Sequence, residues 1–168
     1  MKIFEQFSPN YEPHRRGKVP LAFVIHVSEG SFQSTSDWMS RTESKVSYHF
    51  LVKDNGEVCK LVDPRHIAFH AGVLKDPTPY GEQYAPDPNA ITIGIAYAGF
   101  AATGPTADQI CSIAHLINQY AEIYTIPIDR QHIIAHHDIR TDKVCPGAKV
   151  DFEAIIYLAQ LHRAPSLT

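Results

Sequence analysis

Little in this sequence supports a covalent scaffold, a membrane anchor or a charged tail. Its 168 residues include three cysteines, Cys59, Cys111 and Cys145. Thiols so few and so far apart make no disulfide framework, and an odd count leaves at least one free, so a reducing compartment of synthesis is expected. Nowhere does the chain hold about 18 consecutive apolar residues, so no membrane span is expected. The opening MKIFEQFSPNYEPHRRG puts no apolar run of about 7 to 15 residues behind a basic start, so no signal peptide is expected either. Cationic excess is also missing: 15 Lys and Arg stand against 18 Asp and Glu, a formal charge of -3. Without a global positive field, nucleic acid and anionic membrane surfaces are not expected partners.

What is present is an ordinary globular composition, 44% hydrophobic and 20% charged, with 12 Pro and 9 Gly. The length suits one domain. Residues 1–18 are polar, broken by Pro9 and Pro13, and carry Arg15-Arg16; they read as a surface arm leading into a domain over 19–168. The run VPLAFVIHV (Val19–Val27) is short, apolar and β-branched, which suits a strand buried on both faces, with His26 near its end. After it, SFQSTSDWMSR offers Ser31 or Ser34 as an N-cap and Trp38 and Met39 as buried anchors of a short helix. VSYHFLV and EVCKLV flank Lys53-Asp54-Asn55-Gly56, whose Asn-Gly pair supplies the positive φ of a tight turn, and predict a β-hairpin. Residues 71–89 hold Pro77, Pro79, Pro86 and Pro88 and read as a long loop walling a groove. A strand over Ala90–Ala98 follows. Thr106 and Gln109 form a capping box for a helix to about Tyr124 with apolar residues at spacings of three and four. A strand over His132–Ala135, the polar HHDIRTDKVCPG and a last helix capped by Asp151 and stopped by Pro165 complete the order β-α-β-β-β-α-β-α. The expected fold is α/β, a central mixed sheet flanked by helices.

The ten histidines prompt a search for a metal site, because neutral imidazole is the commonest metal ligand. Three groups stand at places a sheet can bring together: His26 at a strand end, His136 after a second strand, and Cys145 on the loop before the last helix. Two imidazoles and a thiolate match the preference of zinc for nitrogen and sulfur, with a fourth tetrahedral position left to water, the arrangement of a catalytic rather than a structural site. Each residue alone has a plainer reading, as a hydrogen-bonded core histidine or a small buried hydrophobe.

The neighbouring residues strengthen the chemical reading. FVIHVSEG, VSYHFLVKDNGEV, AFHAG, NAITIGIAYAG and IIAHHDIRTDKVCPG occur in this order. Together they resemble the zinc-dependent N-acetylmuramoyl-L-alanine amidases, a family spanning phage lysozyme-type amidases, cytoplasmic cell-wall-recycling amidases and peptidoglycan recognition proteins. AFHAG is similar to the family's Trp-His-Ala-Gly with Phe69 in place of tryptophan. The resemblance implies a peptidoglycan recognition protein/amidase-like fold, Zn2+ as cofactor, peptidoglycan or muropeptide as substrate, and His26, His136 and Cys145 as metal ligands. His136 rather than His137 takes the ligand slot because Asp138 follows it by two residues, and assignment to His137 stays open; Asp138 is expected to shape the turn or support a ligand. Carried over from phage-type members, Tyr48 and Lys143 assist the reaction. Tyr48 would orient the attacking water or relay its proton, and Lys143 would neutralise the developing oxyanion, a contribution typically of about 2.7 to 4 kcal/mol. Their plainer readings are a packed strand aromatic and a solvated charge. His70 is expected either to line the groove and contact substrate or, equally, to make a structural hydrogen bond from its loop. Because alternate strand residues face opposite ways, Tyr48 and His49 cannot both enter the site.

Within that resemblance, the recycling branch places a catalytic glutamate where this chain has Ala96, and usually an aspartate where it has Cys145. Both positions point toward the phage-type or recognition-protein branch; an endolysin-like enzyme would act on the cell wall after synthesis in the cytoplasm and release by a membrane-perforating partner, and a bacterial housekeeping role stays open. Two other classes compete. A recognition module would bind muropeptide without cutting it, against which the retained Cys145 argues. A cysteine hydrolase would use Cys145 as nucleophile, against which Pro146 argues, since it removes the following N–H from any oxyanion hole. Cys59 and Cys111 are expected to be buried thiols.

Overall fold

The computed structural model describes residues 1–74 and 76–161. The expected stop at Pro165 lies outside the described residues, as does His162. The strands are β1 (Ile3–Glu5), β2 (Tyr11–Glu12), β3 (Ala22–Val27), β4 (Phe50–Val52), β5 (Val58–Lys60), β6 (Ile67–Ala68), β7 (Thr92–Tyr97) and β8 (Ile133–Ala135); the helices are α1 (Phe32–Met39), α2 (Ala107–Tyr124), α3 (His136–Ile139) and α4 (Phe152–Leu161). Six strands form a mixed sheet in the order β1-β5-β4-β7-β3-β8, with the β4–β5 hairpin antiparallel and the other pairings parallel. β2 and β6 pair in a small separate sheet. No described helix is long and apolar enough to cross a membrane.

The strand period divides the core. On one face Phe23, Ile25, Val27, Ile93, Ile95 and Tyr97 pack against α2 and α4, which also pack on each other. On the other face, the alternate positions of β3 and β7 carry Ala22, Val24 and His26 beside Thr92, Gly94 and Ala96, register partners in that order. This second face is covered by α1, α3 and the long loop, through Met39, Ile139, Ala71 and Tyr84. A polar side chain at the end of β3 is therefore directed away from the apolar layer and under the loops. α2 opens as expected, with Thr106 accepting from the Gln109 N–H and Gln109 closing the box, and Asp151 accepts from the Ala154 N–H to start α4.

Four expectations need correction. Residues 1–18 do run over the surface, yet they are ordered: β1 adds to the sheet edge and β2 pairs with β6. Arg15, placed with Arg16 in the surface arm, is 3% exposed. Its guanidinium donates to the carbonyls of Pro64, Asn89, Ala90 and Thr92, so the charge is met by backbone dipoles instead of by a carboxylate. Trp38 is 48% exposed while Met39 is 4% exposed, because successive helix residues point about 100° apart and only the Thr35–Ser36–Met39 face of α1 turns inward. Of the two cysteines expected to be buried, Cys59 is and Cys111 is exposed on α2.

Candidate metal centre

The strand ends converge as their positions suggest. His26 is the penultimate residue of β3 and is 1% exposed; His136 begins α3 directly after the neighbouring β8 and is 8% exposed. Cys145 arrives on the loop that follows α3. Three bonds hold that loop: the Val27 N–H donates to Cys145 Sγ at 3.3 Å, the Tyr97 hydroxyl to the Pro146 carbonyl at 2.8 Å, and the His137 N–H to the Cys145 carbonyl at 3.0 Å. One donor atom from each of His26, His136 and Cys145 lies within 4.8 Å of the others, and among the described residues no other His, Cys, Asp or Glu group gathers in this way. Cys145 Sγ is 3.7 Å from His26 Nδ1, and the two imidazole centroids are 4.7 Å apart. Bond lengths of a tetrahedral zinc site place sulfur and nitrogen about 3.5 Å apart, so the donor set and its spacing fit that ion.

Burial sets the electrostatics. It holds His26 well below the ordinary imidazole range and His136 at about 4, so both rings are neutral and carry a free lone pair near pH 7. Burial also pushes the Cys145 thiol up to about 11. A thiol kept protonated is a poor nucleophile, which weighs against the cysteine-hydrolase alternative; a metal would supply the charge that displaces the proton.

Of the histidine pair, His136 joins the cluster. His137 turns away, with Nδ1 3.0 Å from the Cys145 carbonyl, and lines a cleft of about 680 Å³ bounded by Thr78, Pro79, Tyr80, Arg130, Gln131 and Asp138. The Pro-rich loop is indeed one wall of this cleft. Asp138 accepts from the Ala135 N–H and from Arg130, both at 2.7 Å, so it shapes the turn that presents His136. Tyr48 and His49 precede β4, which begins only at Phe50, so strand alternation does not govern them; His49 Nδ1 accepts from the Gly94 N–H at 2.9 Å. The Tyr48 ring lies 5.2 Å from that of His26, and burial, with smaller contributions from Cys145 and Glu29, raises its phenol well above the ordinary value. Lys143 sits half-buried at the rim, its ammonium 3.4 Å from Asp142, and its charge bears on both Cys145 and His136.

His70 is 8% exposed, and its Nδ1 lies 3.0 Å from His26 Nε2, the hydrogen-bonding role that was one of its two expected readings. Sequence reasoning missed several residues around the cluster. Asn89 Oδ1 accepts from the His70 and Ala71 N–H groups at 3.1 and 2.7 Å. Arg140 donates to the Ala71 carbonyl at 3.1 Å, and Glu29, held at a left-handed φ of 53°, accepts from the Ala101 N–H at 3.1 Å. The Pro-rich stretch around Asn89 carried no motif, and the only available signal was its proximity in sequence to the strand bearing Gly94.

On this α/β scaffold a mixed sheet brings two imidazoles from adjacent strand ends to a loop thiol, a group that could hold a metal ion. The chain belongs to the N-acetylmuramoyl-L-alanine amidase family, whose profile matches residues 16–148. The match begins inside the N-terminal segment, at the residue after the buried Arg15. Solved structures share the fold. AmpD, as a selenomethionine derivative, is 21% identical with a TM-score of 0.76 over 94% of both chains. The N-acetylmuramoyl-L-alanine amidase LysC from Clostridium intestinale URNW is 24% identical with a TM-score of 0.70, covering 98% of this chain and 99% of that one. AmiD from E. coli, in complex with anhydro-N-acetylmuramic acid-L-Ala-D-γ-Glu-L-Lys, is 23% identical with a TM-score of 0.67, covering 91% of this chain and 60% of that one. Comparison with curated proteins finds no match.

Proposed function

We propose that this protein is a zinc-dependent N-acetylmuramoyl-L-alanine amidase that cleaves the amide between the lactyl carbonyl of N-acetylmuramic acid and L-alanine in the cell wall. The convergence of His26, His136 and Cys145 carries the reading. Zinc held by these three would polarise the scissile carbonyl and lower the pKa of water toward about 7. The residues around it have their own tasks. Tyr48, its phenol kept protonated by burial, donates a hydrogen bond that orients the attacking water or the carbonyl; it does not act as a phenolate base. Lys143 supplies positive charge where the carbonyl oxygen becomes negative. The water oxygen bonds to the carbonyl carbon, the C–N bond breaks, and the alanine nitrogen leaves with a proton.

The preference for an endolysin-like role rests on two positions. Cys145 stands where the recycling branch usually has aspartate, and Ala96, register partner of His26, stands where that branch has glutamate. Such a role entails release to the wall by a membrane-perforating partner. The second reading, action on soluble muropeptide, is favoured by the fold shared with AmiD, whose complex holds such a fragment. Purified protein should be offered intact sacculi and soluble anhydromuropeptide in parallel, with and without a chelator. Release of L-alanine amino termini from sacculi, abolished by the chelator and regained with zinc, is expected. Chelator-insensitive turnover would overturn the metal, a new glycan reducing end would overturn the bond, and exclusive use of the soluble fragment would move the enzyme to the recycling branch.

A further inference from the structure

The proton positions around the metal centre follow from hydrogen-bond logic. A carbonyl oxygen has no proton to give, so each contact to one identifies the donor. His136 Nε2 lies 3.3 Å from the Ala71 carbonyl, so that nitrogen carries the proton and Nδ1 keeps the lone pair. Thr92 Oγ1 lies 2.7 Å from the Pro88 carbonyl, which consumes the single hydroxyl proton. Thr92 Oγ1 can then only accept from His70 Nε2, 3.3 Å away. With its one proton on Nε2, neutral His70 has Nδ1 as an acceptor, and His26 Nε2–H is the donor in the 3.0 Å contact between them. His26 Nδ1 is left unprotonated, and it is the atom that faces Cys145 Sγ.

We infer that His70 is a positioning residue that, with Thr92 behind it, locks His26 in the tautomer presenting Nδ1 to the metal, while the Ala71 carbonyl does the same for His136. This rests on the zinc reading above and deepens it. One short segment orients both imidazoles, and Asn89 pins it through the backbone N–H groups of both residues. The sheet is built to receive the ring: a Cβ on Gly94 would lie 2.4 Å from His70 Cγ, so the His70 ring sits on strand backbone that only glycine leaves open. Both ring nitrogens of His70 are engaged within this packing, Nδ1 by His26 and Nε2 by Thr92. Removing partners that fix ligand orientation typically costs about 10- to 100-fold in metal affinity.

The test compares wild type with H70F, H70Q and T92V. Zinc dissociation constants come from competition with a chromophoric chelator, and imidazole tautomers from long-range 1H–15N spectra of the metal-free proteins. In wild type, His26, His70 and His136 should all read as Nε2–H. H70F should weaken zinc about 10- to 100-fold and leave His26 a mixture of tautomers. H70Q, whose amide can accept from His26 and donate to Thr92, should recover most of the affinity. T92V should admit the reversed relay, with a His26 Nδ1–H population and weaker zinc binding. An Nδ1–H His26 in wild type, or unchanged affinity and tautomer in H70F, overturns the inference. Absence of zinc binding by wild type would instead sink the metal reading, and the wild-type and H70F tautomers would still decide the role of His70.

Discussion

Gly94→Ala is the sharpest perturbation of the centre that leaves every polar group in place. The backbone at Gly94 is extended, so alanine brings no φ strain and would stabilise by about 0.4 to 1 kcal/mol through the unfolded chain. Its Cβ, however, would fall 2.4, 2.7 and 2.8 Å from Cγ, Nδ1 and Cδ2 of His70. Carbon contacts relax near about 3.5 Å, so the ring must retreat by about 1 Å. It has no slack, because Nδ1 is tied to His26 at 3.0 Å, Nε2 faces Thr92 at 3.3 Å and the backbone N–H is held by Asn89. Overpacking of this kind costs about 1 to 3 kcal/mol, and a lost buried hydrogen bond about 1 more. Set against the backbone gain, the net destabilisation is about 2 kcal/mol. Urea unfolding in the presence of a chelator, followed by far-UV circular dichroism, measures it without metal linkage. The same substitution in a His70→Ala background should cost close to nothing, since the clashing ring is gone, giving a coupling of about 2 kcal/mol. Equal costs in both backgrounds would refute the packing argument and, with it, the claim that β7 is shaped around His70.

Three further outcomes follow from other residues. Lys143→Ala should lower kcat about 10²- to 10³-fold with little change in zinc affinity, read from amide hydrolysis and chelator competition; an unchanged kcat would return Lys143 to the solvated rim. Arg15→Met leaves four buried carbonyls without their shared donor and should destabilise by about 3 kcal/mol or more. A urea midpoint within 1 kcal/mol of wild type would contradict this. In the metal-free protein, burial holds His26, His49 and His70 well below the ordinary range and His136 at about 4. The unfolded chain takes up protons near about pH 6.5 while the native state does not, so stability should fall as pH drops from about 6.5 toward 4, by up to about 1.4 kcal/mol per pH unit for each imidazole. A midpoint that is flat or rises on acidification would show that these rings are not held neutral.

The sequence made visible those parts of the fold whose causes are local. The apolar β3 run, the Asn-Gly hairpin, the Thr106–Gln109 box and the Asp151 cap each depend on residues within a few positions of one another, and each is found in place. His26, His136 and Cys145 were legible for another reason: strand ends share an edge whatever the loops do. The misses are residues whose surroundings come from far along the chain. Arg15 looks solvated in HRRG because nothing nearby hints that carbonyls from Pro64 and the Asn89–Thr92 stretch will enclose it. His70 in AFHAG reads equally as a groove residue or a hydrogen-bonding loop histidine, and the partner it would serve stays hidden until Gly94, 24 positions later, provides a strand without a side chain to lie on.

These two misses belong to one assembly. Arg15 Nη2 lies 2.9 Å from His49 Nε2, and the His49 and His70 rings are 5.6 Å apart. Arg15 also donates to the carbonyls of Asn89 and Thr92, the residues that pin the backbone and the far nitrogen of His70. The N-terminal segment is thus tied, through backbone rather than through charge pairing, to the support behind the first ligand. Deleting residues 1–18 would remove more than a surface strand, since it would leave the Asn89–Thr92 turn without the cation that organises its carbonyls. The truncated chain should therefore lose zinc affinity before it loses helix content, whereas a segment that merely covers the sheet edge would lose both together or neither.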